Sequence, residues 1–239
     1  MGRSILVVVT LVGATLVVAP AVIVTALVSR DSPFIDSLIR AWARSIIRAA
    51  GIRLDTEHME VLDPDRRYIL VANHHSYFDI PCLLAAVSQP VRFMAKVSLF
   101  SIPIFGRALR SAGFIPIDRK NRSQNLRAFE LAGERIRRGN TIVVFPEEGR
   151  TREWKMREFQ RGAFLLGMKT GLPLVPVAIC GTRDVLPATR LTVRPGPVTI
   201  RFAPPIETAE IPVSRKQELM DSTRATIETM LEEGCPPNS

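Results

Sequence analysis

The chain has 239 residues, 46 % of them hydrophobic, and carries 32 Lys and Arg against 23 Asp and Glu, a formal net charge of +9. That content of apolar residues excludes a disordered chain, and 14 Gly and 18 Pro without any repeat exclude a collagen-like or low-complexity one. Residues 31–103 and 162–239 each balance eight basic against eight acidic residues, whereas 104–161 sets fourteen against seven, a basic block suited to a phosphate, a nucleic acid or a lipid headgroup.

From Ser4 to Ser29 runs a stretch of 26 residues without a charge, rich in Val, Leu, Ile and Ala. At about 1.5 Å rise per residue, a helix of that length can cross a hydrocarbon core of about 30 Å. Pro20 falls inside the run and can kink it or divide it into a re-entrant pair. A cleaved signal peptide is the competing reading. The stretch is much longer than the roughly 7–15 apolar residues of a signal sequence, so a membrane anchor is expected.

Ser32 and Pro33 then read as an N-cap and first helical position. Ile35, Leu38, Ile39, Trp42, Ile46 and Ala49 recur at helical spacing, with Arg40, Arg44 and Arg48 as a stripe on another face. A basic amphipathic helix with a Trp suits an anionic bilayer surface. A helix packed on its own domain with a solvated arginine edge fits the same periodicity. Residues 1–50 are therefore expected to form the anchor and 51–239 a single domain. Arg3 precedes the apolar run, while Arg30, Arg40, Arg44 and Arg48 follow it. The positive-inside tendency puts the domain on the cytoplasmic side of the cytoplasmic (inner) membrane.

Beyond residue 60, short apolar runs alternate with helical patterns. Strands are expected at 68–72, 91–95, 114–117, 141–145, 174–179 and 198–202, and helices at 79–88, 97–111, 121–138, 160–170 and 214–233. This alternation implies an α/β fold, one domain with a mixed, largely parallel sheet flanked by helices. Ligands in such folds collect beyond the carboxyl ends of the strands. Cys82, Cys180 and Cys235 are odd in number, widely spaced and form no C-x-x-C. Neither a disulfide framework nor a zinc site is expected, and a reducing compartment is the simpler reading.

Four blocks follow expected strands. In Asn73-His74-His75-Ser76-Tyr77-Phe78-Asp79, a strand-to-helix turn can return the Asp79 carboxylate to an imidazole nitrogen of His74. Such a pair orients the ring for general-base work on a hydroxyl. A structural hydrogen bond or a helix cap uses the same residues, and a metal site would need a third ligand that no suitable spacing supplies. Gly113 to Arg119 ends a strand in an acidic–basic pair whose guanidinium can grip phosphate, or form an exposed charged turn. Val143 to Arg152 runs a buried strand into Pro146, Glu147, Glu148, Gly149 and two arginines, the pattern of a binding loop. Gly171 to Ile179 places Pro173 and Pro176 beside an apolar strand, where they suit a strand start or an edge.

Taken in order, these blocks resemble the glycerolipid acyltransferase family, in particular its bacterial 1-acyl-glycerol-3-phosphate acyltransferases. Asn73, His74, Ser76 and Asp79 match the first motif, N-H-x-S-x-x-D. Gly113, Ile117 and Arg119 match a loose form of the second. Phe145, Pro146, Glu147 and Arg150 match the third, and Val175-Pro176-Val177 the fourth. Phe93 to Lys96 and Leu99 to Gly106 are similar to the family's connecting sequence. The third block departs from the pattern, with Glu148 and Gly149 where the family has Gly and Thr.

The resemblance implies a catalytic pair, His74 and Asp79, acting on the free sn-2 hydroxyl of 1-acyl-glycerol-3-phosphate. An acyl thioester, acyl-CoA or acyl carrier protein, would be the donor and phosphatidate the product. It implies no cofactor, no metal and no acyl-enzyme, so neither Ser76 nor Cys82 is a nucleophile. Arg119, Glu147 and Arg150, with Gly113 and Lys96, are assigned to substrate, and Pro176 to the acyl-donor side. Asn73, Ser76, Phe145 and Pro146 support the motifs, with Ser76 shaping its turn. A relative using another lysolipid acceptor is the alternative. The expected partners are the lysophospholipid, the acyl thioester, the bilayer and, for a carrier-bound donor, acyl carrier protein. Nucleic acid is not expected, because the aromatics of the basic block are scattered among core-like positions and form no binding module.

Overall fold

The computed structural model describes residues 2–118, 122–147, 149, 156–189 and 191–235, and of residues 122–127 the backbone only. Two long helices come first, α1 (Gly2–Val28) and α2 (Pro33–Ala50), followed by β1 (Ile52–Glu57) and β2 (Ile69–Ala72). Then come α3 (Asp79–Ala86), β3 (Val91–Lys96), α4 (Phe105–Ser111), β4 (Ile115–Ile117), α5 (Arg122–Arg137) and β5 (Thr141–Val144). The chain closes with α6 (Gly162–Thr170), β6 (Leu174–Cys180), α7 (Thr182–Val185), β7 (Gly196–Phe202) and α8 (Lys216–Gly234).

The seven strands form one sheet in the order β1-β7-β6-β2-β5-β3-β4. All neighbours are parallel except β6 and β7. This is the expected mixed, largely parallel sheet. Strand side chains alternate between two cores. Leu70, Val143 and Val175 pack towards α2 and α3, and Ile69, Ile142 and Leu174 towards α5, α6 and α8. Burial on both faces is why β2, β5 and β6 read as continuous apolar runs rather than alternating ones.

Two expectations need adjustment. β1 went unforeseen because Ile-Arg-Leu-Asp-Thr-Glu is an edge strand with charged, part-exposed positions. The helix expected over 97–111 is divided into a 3-10 turn, Val97–Ser101, and α4, with Pro103 and the positive φ of Ile104 (63°) at the break.

Sequence signals at α2 act as expected. The Ser32 hydroxyl accepts the Phe34 N–H at 3.3 Å, Pro33 opens the helix, and Gly51 closes it with its N–H on the Arg48 carbonyl at 3.0 Å. Asp36 in its first turn meets Arg92 of β3 at 2.6 Å, a buried ion pair that docks α2 on the sheet. α1 runs unbroken through Pro20 as one helix. It lies along α2: Arg3 donates to the Ala49 carbonyl, the Trp42 indole donates to Thr15 Oγ1 at 3.0 Å, and Ser4 Oγ accepts the Val193 N–H. Its outer side bares Ile5, Val9, Leu16 and Val17, among others.

The cysteine reading is corrected. Cys180, the last residue of β6, is disulfide-bonded to Cys235, just past α8, 55 residues along the chain. Cys82 is free and buried. One bridge between residues so far apart leaves no spacing pattern, and an odd count conceals it.

Candidate active site

Strands β5, β2 and β6 are neighbours and run the same way, so their carboxyl ends open on one edge of the sheet. The turn after β2 carries Asn73 to Phe78 into α3, whose first residue is Asp79. The turn brings the carboxylate back as the sequence spacing implied. Asp79 Oδ2 lies 2.8 Å from His74 Nδ1 and accepts the backbone N–H groups of His75 and Ser76, each at 2.8 Å. Its Oδ1 accepts the hydroxyl of Thr182, at the start of α7 after β6, at 2.5 Å. Asp79 is fully buried, and these donors compensate the desolvation of its charge.

Other side chains hold the same turn. Asn73 Oδ1 accepts the Ile179 N–H at 2.7 Å and its amide donates to the Ile179 carbonyl at 3.1 Å, so the turn is stitched to β6. Ser76 shapes the turn: its hydroxyl donates to the Leu186 carbonyl at 2.9 Å and accepts the Phe78 N–H. Phe145, directly after β5, stacks on the His74 ring with centroids 4.2 Å apart and planes 17° from parallel. Phe93 of β3 stacks behind it at 5.7 Å. With Nδ1 on Asp79 and one face on Phe145, the imidazole is held in plane and keeps Nε2 for the cleft that His74 lines.

That cleft has a volume of about 1880 Å³ and passes from His74 over Phe93, Lys96 and Ile117 to Phe129 of α5 and Leu166 of α6. Its walls are mainly apolar, and its charged lining residues are Lys96, Arg137, Arg161 and Lys169 with the acidic Glu130 and Glu134.

Not all residues assigned to substrate reach it. Lys96 does, as the exposed last residue of β3. Arg119 and Arg150 lie outside the described residues, as does Glu148. Three assignments are corrected. Glu147 is 3 % exposed, and both its oxygens are taken by backbone amides, Oε1 by His74 at 2.8 Å and Oε2 by Arg157 at 3.0 Å. It braces the backbone under His74 instead of facing a headgroup. Burial pushes its carboxyl above the usual range, opposed by those two N–H donors. Gly113 sits at the amino end of β4, the wrong end for a ligand, where its φ of 83° makes the turn out of α4.

Pro176 is buried inside β6, between β2 and β7, and is neither a strand start nor an edge residue. Its carbonyl accepts the Ala203 N–H at 2.9 Å. A strand residue's N and O point the same way, so its missing donor faces the place where β7 is already leaving the ladder. Pro146 is also buried, its carbonyl accepting the Gln160 N–H at 2.9 Å.

Thr182 escaped the sequence reading. The available signal was positional: Gly181-Thr182 directly follows a core strand, as the other site residues do.

The sequence profile described as Acyltransferase matches residues 53–180, more than half of the chain. A 1-acyl-sn-glycerol-3-phosphate acyltransferase of Chlamydomonas reinhardtii is 32 % identical over 172 residues, covering 70 % of this chain and 49 % of the algal protein. One of Escherichia coli (strain K12) is 30 % identical over 166 residues, 69 % of this chain and 67 % of the bacterial protein. The chain thus spans about half the length of the algal relative. The crystal structure of the 1-acyl-sn-glycerophosphate (LPA) acyltransferase PlsC from Thermotoga maritima superposes with a TM-score of 0.79 at 27 % identity, covering 97 % of this chain and 95 % of that one. Profile, relatives and architecture agree, and the chain belongs to the acyltransferase family.

Proposed function

We propose that the protein transfers a fatty acyl group from an acyl thioester to the sn-2 hydroxyl of 1-acyl-glycerol-3-phosphate, giving phosphatidate. The observation that carries this reading is the His74 imidazole, fixed by Asp79 and Phe145, on the wall of an apolar cleft. As the hydroxyl oxygen attacks the thioester carbonyl, Nε2 takes its proton. The new C–O bond forms, the C–S bond breaks, and the proton passes to the departing sulfur. Asp79 steadies the imidazolium in between.

Direct transfer without an acyl-enzyme is favoured by the neighbours. The Ser76 hydroxyl is committed to a carbonyl, and burial pushes the Cys82 thiol far up, away from thiolate. Lys96, Arg119 and Arg150 supply the cations a phosphate dianion needs, and the donor is acyl-CoA or acyl carrier protein, with no cofactor. The bared face of α1 lies on the bilayer, where the lysolipid acceptor resides. The hydrogen bonds that hold α1 along α2 and at Val193 support a helix resting in one leaflet, and Arg30, Arg40, Arg44 and Arg48 after the apolar run support the cytoplasmic side for the domain.

The test is a matrix of acyl thioesters against lysolipid acceptors in vesicles. Lysophosphatidate is expected as the preferred acceptor, and the His74→Ala protein is expected to lose about 100- to 10,000-fold in kcat. Robust transfer only to other lysolipids would select the alternative acceptor, and a fully active His74→Ala protein would remove the proposed base.

A further inference from the structure

Asp79 has two carboxylate oxygens and only one faces His74. The other, Oδ1, is occupied by the Thr182 hydroxyl at 2.5 Å, from a residue fully buried and 103 positions further along the chain. A carboxylate at the head of a helix can turn about its side-chain bonds. The His75 and Ser76 N–H groups hold Oδ2 from one side, and what holds Oδ1 fixes the remaining freedom, the plane of the carboxylate against the imidazole.

The segment that presents Thr182 is built stiff. Gly181 adopts a φ of 85°, and any side chain there would run into the Pro197 carbonyl oxygen. The Asp184 and Leu186 N–H groups return to the carbonyls of Gly181 and Thr182 at 3.0 and 2.9 Å. Cys180, two residues before Thr182, is bridged to Cys235. The same segment is laced to the turn after β2 on both sides of Thr182, through Asn73 to Ile179 and through Ser76 to Leu186. Two turns from adjacent strands thus form one unit, and the hydroxyl of Thr182 is the contact between them that reaches the dyad.

We propose that Thr182 is a positioning residue for the reaction: its hydroxyl holds Asp79 Oδ1 so that Oδ2 orients the His74 ring. This rests on the reading of His74 as the base. Loss of the hydroxyl removes a hydrogen bond to a charged group without touching the substrate cleft, so turnover falls while substrate binding stays.

The test compares Thr182→Val and Thr182→Ser in the full chain. The Val protein keeps the shape and loses the donor; its kcat is expected to fall about 10- to 100-fold with KM for both substrates unchanged. The acid limb of its pH–rate profile moves to higher pH, because a carboxylate with one donor fewer holds the imidazolium proton more firmly. The Ser protein keeps the donor and is expected to stay near the wild-type rate and profile.

Should the Val protein not fold, Thr182→Ala against Thr182→Ser is read instead, since that pair differs only in the hydroxyl. A Val protein with wild-type kcat and profile, or a Ser protein as impaired as Val (or as Ala, in the substitute pair), overturns the inference. An inactive His74→Ala protein beside a fully active Thr182→Val one would sink this inference alone, whereas an active His74→Ala protein would sink the reading beneath it.

Discussion

His74 and His75 are adjacent in the chain and have opposite fates. His74 turns to the cleft with Nδ1 on Asp79. His75 turns inward and is 4 % exposed. Asn73 has its amide fixed by the Ile179 backbone, so the Nδ2 that lies 3.2 Å from His75 Nδ1 is a donor and the ring must accept there. Burial holds the His75 pKa below its ordinary 6.5, with Arg183 and His74 adding to the effect and Asp79 opposing it. The folded state then resists a proton that the unfolded chain accepts. This contribution to stability is complete above pH 6.5 and is lost as the pH falls through the folded-state value. Urea unfolding between pH 7.5 and 5.5 should show a loss of up to about 1.4 kcal/mol per pH unit from this group. The slope should flatten in a His75→Gln protein, and an unchanged slope would show that His75 titrates normally in the fold.

At the scale of elements, the site is the meeting of three strand ends, and each delivers a different part. β2 leads into His74 and its carboxylate partner Asp79, β5 into the stacking Phe145 and the brace Glu147, and β6 into the hydroxyl of Thr182. The α1–α2 pair stands apart from this chemistry. α2 is held to the sheet by the buried Asp36–Arg92 pair, and α1 covers α2 while baring an apolar side. Leu16 and Val17 on that side are 58 % and 72 % exposed, so charges there cost the fold little, under about 0.5 kcal/mol. A Leu16→Glu, Val17→Glu protein should unfold at the wild-type midpoint yet no longer co-sediment with anionic phospholipid vesicles. Retained sedimentation would place the membrane contact elsewhere.

For the molecule as a whole, the disulfide joins the last helix to the central sheet across 55 residues. Closing a loop of that size restricts the unfolded chain, a stabilisation of about 4 kcal/mol in the chain-entropy account. Cys235→Ser, or reduction, is expected to lower the unfolding free energy by about 2–4 kcal/mol. Thiol titration of the denatured, unreduced chain should find only Cys82 reactive out of three cysteines, and three reactive thiols would mean that the bridge does not form.

The sequence by itself determined what depends on near neighbours. Apolar runs marked six of the seven strands, most plainly β2, β5 and β6, which are buried on both faces, and β1 was lost because charged, part-exposed positions interrupt its run. His74 and Asp79, five positions apart, foretold their own contact, since one turn into one helix closes it. Only the tertiary structure decided what depends on strand order. Placing β2 between β5 and β6 turned Glu147 inward onto the His74 backbone, 73 residues away, and set Thr182 on Asp79. It also buried Pro176 in the sheet and brought Cys180 to Cys235. Such contacts follow from how helices cover the two faces of the sheet, a property of the whole chain that no local window of sequence contains.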